Sequence, residues 1–276
     1  MIQMNFAKAF PHVRVGSEEY RAIISKLKDY VQLELGGLSK HGIGWLCGRN
    51  LATMPSNNRI DLTREVRSRI EQNPGRSVKI FEVGCGKGHT LRTLKTLFGD
   101  SVHVDGITLT RKAADYAAGK FDAPDVYDVL SEVFVLVPTN GPKITRIEPV
   151  DVRVGLIEGT EFHDQDIIFS FEALRYVFDQ ARALEKIING LANEGVAILE
   201  VPVTFLEESL NIREYLESCG IHFEMGRIRV SVLGLLGKVE QQFIIIRRES
   251  DTIVDLSQFY RIRTEEAYQH PVDTGR

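Results

Sequence analysis

The stretch Val78-Lys79-Ile80-Phe81-Glu82-Val83-Gly84-Cys85-Gly86-Lys87-Gly88-His89-Thr90 decides how the rest of the chain is read. An apolar run (Val78, Ile80, Phe81, Val83) carries one acid, Glu82, and ends in three glycines at alternate positions, Gly84, Gly86 and Gly88. A helical pattern follows at once. A strand that enters a glycine turn and then a helix brings backbone N–H groups close to a ligand with no Cβ in the way. The acid before the glycines favours a cationic or hydroxyl-rich ligand over a pyrophosphate. A tight turn of purely structural use is the plain alternative. The dinucleotide fingerprint Gly-x-Gly-x-x-Gly fails by one residue, because its third glycine would fall at His89.

Working outward, strands and helices alternate from Val78 onward, which predicts a parallel sheet covered on both faces. Leu91, Leu94, Leu97 and Phe98 mark the apolar face of a first helix that ends at Gly99. The next strand is Val102 to Thr108, and its helix runs from Arg111 to about Ala118. Residues 119–150 hold Pro124, Pro138, Pro142 and Pro149 and read as an insertion, in the form of a hairpin, before a third strand near Val152 to Ile157. The fourth strand is Asp166 to Ser170. Asp179 caps a helix carrying Leu184, Ile187, Ile188 and Leu191, and Asn193-Glu194-Gly195 is a turn. Val196 to Val201 is the fifth strand. A helix through Leu206, Leu210 and Leu216 ends at Gly220. Strands near Ile221 to Met225 and Glu240 to Arg247 close the series, with Arg227 to Leu233 either strand or connection. Such a close final pair suits a sheet whose last strand is antiparallel.

Upstream, residues 1–76 read as a helical cap. Ser17 caps a helix from Glu18 to about Leu35, with Ile23, Ile24, Leu27 and Val31 as its stripe, and Gly36-Gly37 ends it. Asp61 caps a second helix with Leu62, Val66 and Ile70 one turn apart, stopped by Asn73-Pro74-Gly75. Between them, five glycines and the only tryptophan, Trp45, lie within Gly36 to Gly48. That segment is either a lid over a pocket or a connector with Trp45 in the core. Residues 77–248 form the ligand-binding domain, and 249–276, polar with Tyr260 and Tyr268, a tail.

The stretch 78–90 resembles motif I of the class I S-adenosylmethionine-dependent methyltransferases, Glu/Asp-x-Gly-x-Gly-x-Gly after the first strand. The resemblance covers about Val78 to Arg247 and implies a seven-stranded, mostly parallel α/β sheet flanked by helices, with S-adenosylmethionine as cofactor. Gly84, Gly86 and Gly88, with Cys85, would cradle its amino-acid part, and Glu82 would lie near its ammonium. An acid balancing the first helix or Lys79 is the alternative for Glu82. At the end of strand two the family carries an acid for the ribose, in the form hydrophobic-x-Gly-Ile-Asp-Leu-Ser. This chain has Val104-Asp105-Gly106-Ile107-Thr108-Leu109-Thr110, so Thr108 stands in the acid's place. The form resembles the Gly-x-Thr-Leu-Ser of the cyclopropane-fatty-acid-synthase branch, which puts Thr108 and Leu109 at the ribose; that branch's bicarbonate site is not traceable here.

After strand three the family's Gly-Asp becomes Glu158-Gly159-Thr160-Glu161. Gly159 and Thr160 fall at the adenine, with Glu158 or Glu161 as stand-in acid or, in the plainer reading, as surface glutamates. The stretch Asp164 to Val177 is similar to the family's fourth landmark. It puts Ser170 at the cofactor and Phe171, Glu172 and Tyr176 beside the acceptor. Glu172, Tyr176 and His163 are the candidate catalytic groups. His89, at a helix N-terminus, suits a neutral hydrogen-bonding role.

Composition sets the outer bounds. With 43% hydrophobic and 26% charged residues the chain reads as globular. Its net charge of -4 gives no general attraction to nucleic acid. Three scattered cysteines, with no Cys-x-x-Cys pair, indicate neither a disulfide framework nor a metal site. No run reaches membrane-spanning length, and a reducing cytoplasm is the expected compartment. The expected partner is a small-molecule acceptor, with no nucleic acid and no membrane; a homodimer stays open. The preferred reading is a methyltransferase acting on a small molecule. The alternatives are an inactive binding module of the same fold and, third, an NAD(P)-dependent oxidoreductase.

Overall fold

The computed structural model describes residues 6–37, 61–120, 148–171, 173–201, 212–231 and 238–263. Its elements in chain order are α1 (Phe6–Ala9), α2 (Glu18–Gly37), α3 (Leu62–Gln72), β1 (Val78–Val83), α4 (His89–Phe98), β2 (Val102–Thr108), α5 (Arg111–Ala117), β3 (Arg153–Val154), β4 (Gln165–Ser170), α6 (Gln180–Gly190), β5 (Leu191–Val201), α7 (212–218), β6 (Ile221–Ser231) and β7 (Lys238–Arg248).

Seven strands form one sheet in the order β3-β2-β1-β4-β5-β7-β6. The pairs β1–β2, β1–β4, β2–β3 and β4–β5 are parallel, and β7 is antiparallel to both β5 and β6. This is the mostly parallel, seven-stranded arrangement expected from the sequence, with an antiparallel end. Strand order reverses between β1 and β4. A crevice outside the carboxyl ends of parallel strands at such a reversal is where open α/β sheets bind ligands.

Side chains alternate across the sheet with period two, so each strand feeds two cores. Val78, Ile80, Ile167, Phe169, Val196, Ile198, Phe243 and Ile245 face α3 and α4, meeting Leu62, Val66, Leu91 and Leu94. Phe81, Val83, Ile168, Ala197, Leu199, Ile244 and Ile246 face the other side, meeting Leu184, Ile187, Ile188 and Leu216. A third core joins the N-terminal layer to the sheet's upper edge. In it Ala9, Phe10, Ile23 and Leu27 pack with Leu156 and Phe178, and Leu109 lies against them. At the opposite edge Asp166 clamps the strand starts. Its carboxylate takes Arg76 Nη2 at 2.5 Å and the Lys79 amide at 2.8 Å.

Both N-caps form as read. Asp61 accepts from the Arg64 amide and Asp179 from the Arg182 amide, each at 3.0 Å. Ser17 Oγ likewise accepts from the Tyr20 amide at 3.1 Å.

Several expectations need correction. Leu97 is 42% exposed and does not share the face of Leu91 and Leu94. Leu191 begins β5 and does not end α6. Asn193-Glu194-Gly195 lies inside that strand as a bulge: Gln165 pairs with Leu191 but Ile167 with Val196, and Glu194 has φ +63°. The third strand shrinks to Arg153–Val154, because the chain turns into a 3-10 turn at Ile157–Gly159. Arg227 to Ser231 continues β6. Residues 249–263 are packed and are not a tail: Val254 and Leu256 are buried, and the Arg263 amide donates to Phe178 O at 2.8 Å. The glycine-rich segment with Trp45, most of the 119–150 insertion, Leu206, Leu210 and Tyr268 lie outside the described residues. No helix among the described residues is long and apolar enough to cross a membrane.

Candidate functional site

The glycine turn follows β1 at the strand-order reversal. Gly84, Gly86 and Gly88 have φ of +77°, +51° and +71°, in the left-handed region. The turn is stitched to β2: the amides of Gly84 and Cys85 both donate to Ile107 O at 2.9 Å, and the Gly88 amide donates to Cys85 O at 2.8 Å. These three amides are therefore taken up by the main chain and do not face a ligand, contrary to the simplest reading of the motif. Two of the glycines serve close packing as well. A Cβ on Gly84 would stand 2.0 Å from the Ala173 Cβ, and one on Gly88 would stand 2.8 Å from the Ala117 Cβ. Ser170, fully buried at the end of β4, donates from Oγ to Val83 O at 3.0 Å and ties the two strand ends beneath the turn.

Just before the turn, β1 carries a buried carboxylate. Glu82 is 5% exposed, and its Oε2 is buried with no hydrogen-bond partner among the described residues. Burial pushes its pKa from 4.5 up to about 8. An uncompensated buried acid of this kind is costly to a fold and is a mark of functional sites.

A second carboxylate comes from α2. Glu34 Oε1 accepts from Thr108 Oγ1 at 2.6 Å and from the Leu109 amide at 3.3 Å. The buried Cys85 thiol is pushed well up, first by burial and then by the charges of Glu82 and Glu34, so both acids act on the turn. Glu34 escaped the sequence reading. A signal was present: it falls three residues after Val31 and seven after Leu27, placing a charge on the apolar stripe of α2.

The remaining candidates separate. Asp105 turns away from the crevice, pairing with Arg153 and accepting from the Gly106 amide at 2.7 Å. A Cβ on Gly159 would meet the Ala9 main chain at 3.0 Å, so α1 covers that glycine. Thr160 Oγ1 donates to Leu156 O at 2.8 Å. Glu158 is not a surface residue. It is fully buried, and its Oε1 accepts from the amides of Phe178 at 2.7 Å and Asp179 at 3.3 Å, holding the entry to α6. Burial pushes its pKa up to about 7 against these hydrogen bonds. Glu158→Ala would strand two buried donors and should lower stability by about 3 kcal/mol in urea unfolding; an unchanged midpoint would contradict that linkage. Glu161 is exposed.

Tyr176 follows β4 on the upper edge, its ring 5.2 Å from that of Tyr30 on α2. His89 is buried at the start of α4. His163 is exposed just before β4, at the lower edge among the strand starts. The structure does not bring it to the glycine turn. Glu172 lies outside the described residues. A cavity of about 460 Å3 opens at the outer sheet edge, lined by residues that include His103, Asp105, Val150 and Arg153.

Comparison with known proteins shows what part of the chain is similar to. The family described as "Methyltransferase domain" matches residues 81–199, from within β1 to within β5. None of the curated proteins matches. Among solved structures, a TehB-like SAM-dependent methyltransferase from Corynebacterium glutamicum is 18% identical, with 82% of this chain and 99% of that chain covered and a TM-score of 0.43. A putative sarcosine dimethylglycine methyltransferase from Galdieria sulphuraria is 12% identical, with 82% and 99% covered and a TM-score of 0.40. Likeness at this level says nothing about what this chain acts on.

The sheet order is that of the class I methyltransferase fold, and residues 81–199, with the glycine turn at the strand-order reversal, are similar to a methyltransferase domain. The cofactor of that class is S-adenosylmethionine. The residues present fit it: a buried carboxylate beside a glycine turn, its Oε2 unpartnered among the described residues, suits its cationic amino end, and a second carboxylate stands at the end of β2.

Proposed function

We propose that the chain transfers a methyl group from S-adenosylmethionine to a small-molecule acceptor. The observation that carries this reading is the buried Glu82 carboxylate beside the glycine turn, where strand order reverses, with its Oε2 unpartnered among the described residues. The bound cofactor supplies a carbon activated by sulfonium, open to in-line displacement. The protein's part is alignment and exclusion of water. Glu82 would accept from the ammonium of the cofactor's amino-acid end. Gly84, Cys85, Gly86 and Gly88 would shape the floor beneath it. Thr108 and Leu109 would border the ribose, and Gly159 and Thr160 the adenine side, behind the cover of α1. Ser170 would fix the end of β4, and Tyr176 would line the acceptor side.

Two features support a small acceptor. The N-terminal layer closes over the carboxyl edge of the sheet through its own apolar core, which suits a compact substrate. A net charge of -4 provides no electrostatic footprint for nucleic acid. One observation favours the inactive-module reading: the amides of Gly84, Cys85 and Gly88 are already satisfied within the protein.

Calorimetry with S-adenosylmethionine, its demethylated product S-adenosylhomocysteine and NADH tests the reading. Binding of the first two alone is the expected result. Methyl-labelled cofactor mixed with a cell extract should then place label in the low-molecular-weight fraction. Label in RNA or protein would overturn the acceptor class, and NADH binding alone would return the oxidoreductase. Absence of all binding would favour the module.

A further inference from the structure

We propose that Glu34, on the N-terminal helix α2, is the carboxylate that recognises the ribose hydroxyls of the cofactor. It takes over the task that the resemblance assigns to an acid at the end of strand two. This rests on the reading of the chain as a binder of S-adenosylmethionine.

The argument starts at Thr108. A threonine hydroxyl donates one hydrogen bond and cannot accept from two vicinal hydroxyls as a carboxylate does. In this protein that hydroxyl donates to Glu34 Oε1 at 2.6 Å, and the next amide, Leu109 N–H, donates to the same oxygen at 3.3 Å. Thr108 Oγ1 occupies roughly the place of the carboxyl carbon of an aspartate at that position, since both atoms are bonded to Cβ. The Glu34 carboxylate therefore stands just beyond the end of β2, about where an aspartate at 108 would carry its own oxygens. The acid is missing from the strand and present in space.

Placement is rigid enough for recognition. Upstream of Glu34, Ile23 and Leu27 are buried with Leu156 and Phe178, and the Tyr30 ring meets those of Tyr176 and Phe178 at 5.2 and 5.5 Å. Downstream, Leu35 packs against Ala113 of α5. Glu34 thus sits between two anchored stretches of one helix, as a positioned ligand-binding group requires. Its charge, like that of Glu82, helps to raise the buried Cys85 thiol inside the turn. The arrangement also makes the N-terminal layer part of the cofactor site.

The test uses the full chain and binding calorimetry with S-adenosylhomocysteine and its 2′,3′-dideoxyribose counterpart. Wild type should prefer the ribose form. Glu34→Gln keeps an oxygen for Thr108 and Leu109, so it should melt like wild type; it should bind S-adenosylhomocysteine at least about tenfold more weakly. Glu34→Ala should lose about 50-fold and cease to discriminate the two ligands. Thr108→Asp placed in the Glu34→Ala background should recover about tenfold or more, because it restores a carboxylate at the strand end. If wild type binds and Glu34→Gln binds equally well or more tightly, Glu34 is a structural tie or a plug and the proposal is overturned. If wild type does not bind S-adenosylhomocysteine at all, the cofactor reading itself fails, and the assignment of Glu34 falls with it.

Discussion

Gly84→Ala should destabilise the protein by about 4 kcal/mol, measured as a fall in the urea midpoint without a change of slope. Two effects add. A residue with a Cβ in the left-handed region costs roughly 1–2 kcal/mol, and φ at Gly84 is +77°. The new methyl would also stand 2.0 Å from the Ala173 Cβ, an overlap that forces the segment after β4 away from the turn; overpacking of this kind costs about 1–3 kcal/mol. Gly75 separates the two effects, since it has φ +87° and open space around its Cα. Gly75→Ala should lose only about 1 kcal/mol. Equal losses at the two sites would show that Ala173 does not press on the turn. Cofactor binding should fail in Gly84→Ala even where the protein is folded, because Ala173 opens the stretch that carries the acceptor side.

The second large effect is a pH dependence of cofactor affinity. With a pKa near 8, Glu82 in the free protein is roughly one-hundredth ionised at pH 6 and one-tenth at pH 7. An ammonium beside it favours the carboxylate, so binding lowers the pKa and releases a proton. Affinity for S-adenosylhomocysteine should rise about tenfold per pH unit from 6 to 8 and then level off. Calorimetry in two buffers of different ionisation enthalpy should count about one proton released at pH 6.5. Glu82→Gln should remove both the slope and the proton. A flat profile in wild type would mean that Glu82 does not face the ammonium.

The same shift governs the ligand-free fold. Folding raises the Glu82 pKa from 4.5, so the native state keeps a proton that the unfolded chain gives up. The stability from this group is complete below 4.5 and lost as pH rises through 8. Glu158, raised to about 7, acts in the same direction. Melting temperature should fall from pH 5 to pH 8, less steeply in Glu82→Gln.

Legibility followed locality. Val78 to Val83 and Gln165 to Ser170 were readable because both faces of each strand are buried, which makes their apolar runs nearly continuous. Asp61 and Asp179 were readable as caps because a cap acts over three residues. The bulge at Asn193 to Gly195 looked like a turn for a sound reason: Glu194 does take φ +63°, and only pairing with β4 shows that the strand has already begun. The packing of residues 249–263 was hidden because it depends on Asn189 and Glu185, more than 60 positions earlier, which bond Val254 and Leu256.

Within the candidate site, Glu82 and the glycines stood out because their spacing is local. Glu34 and Thr108 lie 74 positions apart, and the charge on the apolar stripe of α2 marks Glu34 as unusual without naming Thr108 as its partner. Glu158 was misjudged for a related reason. Its partners are the amides of Phe178 and Asp179, and main-chain donors leave no trace in residue types. His163 was drawn in by residue type alone, whereas strand direction carries it to the far edge.

Inserting β7 between β5 and β6 has a consequence for synthesis. Val196 to Val201, buried on both faces, pair with Gln242 to Arg247. As the chain leaves the ribosome, that strand waits some forty residues for its neighbour, with its ladder of amides and carbonyls bare. A nascent chain paused before residue 238 would present this edge to any other growing polypeptide, and truncations ending there should precipitate or require a chaperone.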